Sequence, residues 1–214
     1  MSRSKEKQKM RIRTMAQVAA CALLTTAATT SFAVLVDFEG QGHGVSLTDG
    51  YGGLDWTDNS WTLDGSLMPA GCGYDIGRVS GNNVGYSAYE VDFGFATSDG
   101  ANFQSLSFWM VPAWNDGVSV HIDAYEGGFG GTLVVSQDFT ASLSDGVAQY
   151  TMSAPYAGLT DAWVFTMSGG TNVHTGGSGS HLSFDDIEYS TVPEPTSMAA
   201  LGLGAAALLR RRRK

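Results

Sequence analysis

Basic residues are almost absent from the middle of this 214-residue sequence, whereas acidic residues are abundant there. Positions 34–190 contain 19 Asp and Glu residues but only one Lys or Arg, Arg78, so this region has a formal charge of −18. Nucleic acids and anionic membranes are bound through clustered Lys and Arg, which excludes both as partners of this region. The charge favours divalent cations, although carboxylates also keep a domain soluble without binding a ligand.

Cysteine is also scarce. Cys21 lies near the N-terminus and Cys72 lies in the acidic region, so loss of the N-terminal segment would leave Cys72 without an intramolecular partner. Between two glycines, Cys72 is most simply a small buried residue, and a disulfide between two molecules is the alternative.

Sequence motifs of common catalytic sites are missing. The four histidines are scattered, and there is no His-Glu-x-x-His, Gly-x-Ser-x-Gly or Gly-rich Lys-Ser/Thr phosphate loop. Among so many acidic residues, a carboxylate pair at a glycosidase-like separation can arise by chance. We therefore expect a non-enzymatic protein, with a secreted glycan hydrolase that uses a carboxylate pair as the alternative.

The first 33 residues are organised like a secretory signal peptide. Six basic residues lie between positions 3 and 13, residues 15–30 are mostly apolar or small, and Ser31-Phe32-Ala33 fits a small-x-small cleavage site. We therefore expect residues 1–33 to be removed on export. A loose lipoprotein box that ends at Cys21 is the alternative, and it would make Cys21 a lipidated N-terminus.

The end of the sequence combines three features in order. After the motif Val192-Pro193-Glu194-Pro195 and two polar residues come twelve mostly apolar residues, 198–209, and then five basic ones. Twelve residues are too few for a helix that spans the hydrocarbon core, which takes about 20. We expect a transient inner-membrane anchor whose basic end stays in the cytoplasm, with a permanent tail anchor as the alternative.

This tail resembles the PEP-CTERM sorting tail of Gram-negative bacterial envelope proteins. The resemblance implies that an exosortase-type sorting enzyme cuts near the Pro-Glu-Pro motif. It also implies a location in the cell envelope, at the cell surface or in the extracellular biofilm matrix. The chain then divides into a signal peptide (1–33), an ectodomain (34–190) and a sorting tail (191–214).

Apolar and polar residues alternate with a period of two in the ectodomain, which is typical of half-buried strands. The clearest cases are residues 105–110 and 118–125, and the further candidates are 34–38, 60–63, 84–93, 132–139, 147–152 and 163–168. Five Asp-Gly pairs supply residues that tolerate the positive φ needed in hairpins. The sequence predicts an all-β fold: a single antiparallel β-sandwich, jelly-roll-like, between an N-terminal signal helix and a short C-terminal apolar helix.

The last predicted strand, residues 181–189, changes phase at Asp185 and Asp186. A β-bulge there would turn the apolar residues on both sides of the two aspartates toward the core. The sequence Phe-Asp-Asp-Ile resembles the closing strand of many PEP-CTERM ectodomains and of carbohydrate-binding jelly rolls. The second resemblance implies a structural calcium ion, held by Asp185 or Asp186 together with Asp37 or Glu39 near the first strand.

Aromatic residues suggest what the ectodomain binds. All five tryptophans lie inside it, and Trp109 occupies the more polar parity of its strand. Flat rings beside polar groups suit a glycan, because the rings contact sugar C–H groups and the polar atoms bond hydroxyls. We predict an exposed glycan-binding face formed by Trp109, Trp114, His121 and Tyr125, with an exopolysaccharide as the partner. Core packing explains most of the other tryptophans.

The two terminal signals predict the mass of the mature protein. Intact-mass measurement of native material should find a chain that starts near Val34 and ends near the Pro-Glu-Pro motif. A native mass that retains both residues 1–33 and residues 196–214 would contradict both cleavages.

Overall fold

A computed structural model of the protein describes residues 33–192, together with Gly202. Residues 33–192 form one compact unit. The predicted signal helix and C-terminal apolar helix lie outside the described residues. Within the described part, no helix is long and apolar enough to cross a membrane.

Short strands make up most of this unit. In chain order they are β1 (Val34–Val36), β2 (Val45–Ser46), β3 (Leu54–Trp56), β4 (Ser60–Asp64), β5 (Asn83–Ser87), β6 (Asp92–Thr97), β7 (Phe103–Pro112), β8 (Asn115–Asp116), β9 (Val118–Glu126), β10 (Thr132–Ala141), β11 (Ala148–Thr151), β12 (Ala162–Ser168), β13 (Thr171–Asn172) and β14 (Leu182–Thr191). A four-residue helix, α1 (Gly73–Ile76), lies between β4 and β5. Single 3-10 turns occupy Tyr51–Gly53, Gly65–Leu67, Ala88–Glu90, Leu143–Asp145 and Ala154–Tyr156.

The strands form two antiparallel sheets that pack face to face. The seven-stranded sheet has the order β11-β7-β14-β5-β4-β2, with β1 paired to β14, and the five-stranded sheet has the order β10-β9-β12-β6-β3. A small ribbon joins β8 to β13. The chain passes repeatedly from one sheet to the other, so that most neighbours in a sheet are distant in sequence. The predicted all-β antiparallel sandwich is confirmed.

Aromatic rings fill the space between the sheets. Phe93 of the five-stranded sheet stacks on Phe184 of the seven-stranded sheet, with ring centroids 4.0 Å apart and an interplanar angle of 10°. Phe165 meets Phe184 edge to face at 5.2 Å and Phe108 at 5.1 Å. These three phenylalanines pack around Phe184, which is fully buried, so the core is centred on the last strand.

The predicted bulge in the last strand is present. Pairing of β14 with β7 shifts register between Asp185 and Glu188, and Asp186 has φ 45°. Consequently the apolar residues on both sides of the bulge are buried in one core, and these are Leu182, Phe184, Ile187 and Tyr189. One extra residue thus reconciles the two parities in the sequence.

A second layer covers part of the outer face of the seven-stranded sheet. The segment between β4 and β5 folds back over these strands and builds a small outer core, whose buried members are Leu63, Cys72, Tyr74, Val84, Ala113 and Trp114. Cys72 is fully buried within it. We call residues 65–82 the covering segment.

Asp185 ties the covering segment to the last strand. Its side chain is fully buried, and Oδ2 accepts hydrogen bonds from the backbone N–H groups of Val79 at 2.7 Å and Ser80 at 3.0 Å. Oδ1 accepts from the N–H of Asp186 at 2.8 Å. Three backbone donors therefore depend on this one carboxyl group.

Replacing Asp185 by Asn should destabilise the protein. An amide has only one acceptor oxygen, so its NH₂ group would face a backbone N–H and leave a buried donor without a partner. We expect Asp185→Asn to lower the free energy of unfolding by roughly 1–3 kcal/mol in denaturant titrations. The exposed control Asp145→Asn should leave it nearly unchanged. Equal stability of the two variants would contradict the role given to Asp185.

The same variant tests a pH dependence. Burial raises the pKa of Asp185 from 3.8 to about 7, although hydrogen bonds from Ser80, Asp186 and Val79 oppose the rise. Between these two values the folded state holds a proton that the unfolded chain has lost. The stability contributed by this proton is complete below the unfolded value and is lost as pH rises through the folded one. The difference in stability between the protein and Asp185→Asn should therefore be larger at about pH 5 than at about pH 8.

Candidate functional site

The two predicted tryptophans lie on the seven-stranded sheet. Trp109 is half-buried on the outer face of β7, where it is paired with Gln149 of β11 and Asp185 of β14. Trp114 follows β7 and is 6% exposed, because it belongs to the small outer core. Only Trp109 thus offers much ring surface from its strand position, while Trp114 forms part of a floor.

The predicted histidine and tyrosine lie on the opposite side of the sandwich. His121 and Tyr125 are half-buried on the outer face of β9, in the five-stranded sheet. His121 Nδ1 is 2.7 Å from Asp138 Oδ1 and Nε2 is 3.2 Å from Asp123 Oδ1, and the Tyr125 hydroxyl donates to Asp123 at 3.4 Å. The hydrogen bond to Asp138 raises the pKa of His121. The four predicted residues therefore divide between two faces and do not form one site.

An aromatic depression of about 380 Å³ opens on the outer face of the seven-stranded sheet. Its walls include Trp61 of β4, Tyr86 of β5 and Tyr89, which follows β5. Trp61 of β4 is paired with Tyr86 of β5, and both side chains point outward. The adjacent pair, Thr62 and Gly85, faces the other way because side chains alternate along a strand.

Two of these rings stand at right angles to each other. Trp61 and Tyr89 have centroids 5.9 Å apart and an interplanar angle of 88°. The indole Nε1–H of Trp61 donates to the backbone oxygen of Asp58 at 3.1 Å, which fixes the ring on its own hairpin. Tyr89 is 72% exposed. The depression thus presents apolar ring surface to solvent in a fixed orientation.

The floor of the depression is rigid. Tyr74 meets Tyr86 edge to face at 5.5 Å and Trp114 at 5.4 Å. Burial raises the pKa of Tyr74 well above 10 and also raises that of Tyr86, so both hydroxyls stay protonated. Gly177 lies flat on the Trp114 indole, where a Cβ would approach to 2.5 Å. The glycine-rich stretch 169–180 therefore packs against the floor of the depression at Trp114.

Backbone strain occurs beside the depression. Tyr89 has φ 59° and Glu90 has φ 56°, and two consecutive non-glycine residues in this region are unusual. Glu90 Oε2 accepts a hydrogen bond from the N–H of Ser180 at 3.1 Å, which connects the strained turn to the residues just before β14. Such strain is retained only where the surroundings over-determine it, and it is concentrated at functional sites.

Two histidines supply polar atoms at the edge of the depression. His43 Nδ1 accepts from the N–H of Asp64 at 3.2 Å, which makes Nε2 the protonated nitrogen of a neutral ring. His181 Nδ1 lies 2.8 Å from the carbonyl oxygen of Ser87, which can only accept, so Nε2 is an acceptor in the neutral ring. The depression therefore offers apolar faces together with both a donor and an acceptor.

The predicted metal-binding carboxylates lie where β1, the bulge of β14 and the covering segment come into contact. Asp37 follows β1, whose residue Val36 pairs with Ile187 just after the bulge. Glu39 Oε1 accepts from the N–H groups of Asn82 and Asn83, both at 2.7 Å. These contacts connect the first strand to the covering segment.

The remaining oxygen atoms decide what this junction offers to calcium. Asp186 Oδ1 accepts from the Ser80 hydroxyl at 2.6 Å, and Asp37 Oδ1 accepts from the N–H of Glu39 at 3.1 Å. Asp185 uses both oxygens for backbone donors. Within residues 33–192, no three His, Cys, Asp or Glu side chains converge as a metal site. Calcium binding here stays a prediction, and it would use the second oxygens of Asp37, Glu39 and Asp186.

Comparison with known families identifies the tail. Residues 191–214 match the PEP-CTERM protein-sorting motif, which confirms the interpretation of this segment. The motif marks proteins that are exported and sorted to the cell envelope or surface, and this protein carries it. Of the motif residues, Val192 is described, whereas Pro193, Glu194 and Pro195 lie outside the described residues.

Solved structures similar to the sandwich include an adhesin and carbohydrate-binding modules. The K2 cleaved adhesin domain of Lys-gingipain has a TM-score of 0.49 and 15% identity, over 77% of this chain and 100% of its own. A family 29 carbohydrate-binding module has a TM-score of 0.37 and 15% identity, over 79% and 98%. TmCBM61, solved with β-1,4-galactotriose, has a TM-score of 0.31 and 10% identity, over 64% and 82%. No curated protein sequence matches significantly.

Calcium should raise the thermal stability if the junction binds it. A ligand that binds only the folded state adds about 2.7 kcal/mol when its free concentration is about 100 times the dissociation constant. We expect a higher melting midpoint with calcium than with chelator, and loss of that difference in the double variant Asp37→Asn/Asp186→Asn. Asp145→Asn should keep the difference. An unchanged midpoint in the parent protein would eliminate the site.

Proposed function

We propose that this protein is a non-catalytic carbohydrate-binding protein of the cell envelope or biofilm matrix. Its aromatic depression binds a sugar unit of an extracellular polysaccharide. The observation that carries the proposal is the pair of perpendicular rings, Trp61 and Tyr89, above a rigid aromatic floor with histidine nitrogens at its edge.

The chemistry of the depression suits a sugar ring. Pyranose rings present C–H groups on their faces and hydroxyls on their edges, so they need apolar surface and hydrogen-bonding atoms in the same place. Tyr89 and Trp61 offer ring faces, and the imidazoles of His43 and His181 offer one donor and one acceptor. A volume of about 380 Å³ lies within the range of small-molecule sites.

The sorting motif supports the biological setting of the proposal. Export brings the depression into contact with the polysaccharides outside the cell, and the −18 charge of residues 34–190 keeps nucleic acids and anionic membranes away. Trp109 lies on the outer face of the same sheet but does not line the depression, and its role in glycan binding stays a prediction. His121 and Tyr125 belong to a separate face, and their role in glycan binding stays a prediction.

Tryptophan variants test which surface binds. We expect the protein to be retarded in affinity gels that contain a neutral, amino-sugar or acidic polysaccharide. Trp61→Ala should lower the affinity for the retarding polysaccharide at least about tenfold, since a central aromatic anchor contributes more than about 1.4 kcal/mol. Trp109→Ala is the matched control on the same face of the same sheet. A larger loss for Trp109→Ala would move the site from the depression to β7.

The same assay separates binding from hydrolysis. A binding protein retains the polysaccharide and releases no soluble sugar, whereas the alternative, a hydrolase that uses a carboxylate pair, releases reducing ends. Turnover on any polysaccharide would overturn the non-catalytic proposal. Absence of retention across neutral, amino-sugar and acidic polysaccharides would overturn carbohydrate binding itself.

A further inference from the structure

His181 Nε2, which is an acceptor when the imidazole is neutral, faces Glu90 Oε1 beside the aromatic depression without a hydrogen bond between the two atoms. His181 Nε2 and Glu90 Oε1 are 4.0 Å apart, which is beyond hydrogen-bond distance. His181 gives its Nδ1 proton to the Ser87 carbonyl, and Glu90 uses Oε2 for the N–H of Ser180. Both side chains are therefore positioned by other contacts, and their free atoms share one gap.

We propose that this gap binds the ammonium group of an amino sugar, so that the depression prefers glycans with unacetylated glucosamine-type units. This inference rests on the proposed function. An ammonium nitrogen carries three donors, and one placed at about 2.9 Å from each acceptor would bridge two atoms that are 4.0 Å apart. The angle at the nitrogen between the two acceptors would then be about 87°, which is smaller than the tetrahedral angle of about 109°, so each N–H would point roughly 11° away from its acceptor, a deviation that a hydrogen bond tolerates.

Gly179 and Ser180 lie next to the Glu90 carboxylate at this gap. A Cβ on Gly179 would lie 2.5 Å from Glu90 Oε1, so a side chain at position 179 would displace the carboxylate from its present position. The hydrogen bond from the Ser180 N–H holds the Glu90 side chain beside His181. Glu90 remains 49% exposed, which leaves the ammonium a route from the depression.

Charge points to the same class of ligand. Arg78 is the single Lys or Arg between positions 34 and 190, and it pairs with Asp75 through its guanidinium group. No other Lys or Arg side chain is available in residues 34–190 to bind the carboxylate or sulfate of an acidic polysaccharide. Tyr89 also supports a cation, since the face of an exposed aromatic ring attracts ammonium groups.

Oligosaccharides that differ only in acetylation test this preference. We expect a glucosamine hexamer to bind more tightly than its N-acetylated counterpart. Added salt should reduce this difference in affinity. Glu90→Gln keeps an oxygen for the Ser180 N–H but loses the charge. It should weaken binding of the glucosamine hexamer roughly two- to fivefold and leave binding of cellohexaose unchanged.

A matched control separates a local contact from the field of the whole domain. Glu126→Gln removes one exposed charge on the five-stranded sheet and should leave the affinity ratio of the two hexamers as it is in the parent protein. An equal effect of both variants, or equal affinity of the parent for both hexamers, would overturn the amino-sugar site. Binding of neutral oligosaccharides alone would overturn only this preference, whereas binding of none would overturn the proposed function as well.

Discussion

The bulge at Asp185 and Asp186 is the constraint on which both layers of the molecule depend. On one side of β14, it allows Phe184 and Ile187 to face the same core despite their opposite parity. On the other side, it sets Asp185 under the covering segment, where its carboxyl group receives three backbone N–H donors. A regular strand could not serve both sides, because a side-chain period of two would turn Ile187 outward.

The candidate site depends on this outer layer. The covering segment supplies Tyr74 as part of the floor, and the stretch before β14 supplies Gly177 and His181. Trp61 and Tyr86 come from strands, so the sheet sets their spacing, whereas Tyr89 is oriented by a strained turn. A candidate site assembled in this way is largely preformed, and preorganisation would reduce the entropy lost if a ligand binds there.

Electrostatics and location restrict the ligands that reach this surface. The sorting motif places the protein among those exported to the envelope or surface, and its acidic ectodomain repels anionic polymers. Among the glycans proposed as ligands, the neutral and cationic ones remain. The proposed site between Glu90 and His181 would favour the cationic class, because an ammonium group brings a positive charge to the Glu90 carboxylate as well as three donors.

The sequence alone determined the parts of this protein that depend on local order. Strand alternation, Asp-Gly turns, the phase change at Asp185 and the sorting tail are all patterns within a few residues, so the sandwich, the bulge and the sorted destination could be predicted. Trp61 shares the parity of Leu63 in β4, so the sequence could predict that both side chains lie on one face of this strand. Nothing in the sequence indicates that this face stays open to solvent at Trp61.

Only the tertiary structure decided which aromatic residues meet. Trp109 and His121 both lie at outward positions of their strands, yet the strands belong to opposite sheets, so their side chains are on opposite sides of the molecule. The depression joins Trp61 and His181, which are far apart in sequence but adjacent because β14 pairs with β5 and β5 with β4. Strand parity specifies a face only relative to its own sheet, and the assignment of strands to sheets depends on pairings between residues that are distant in sequence.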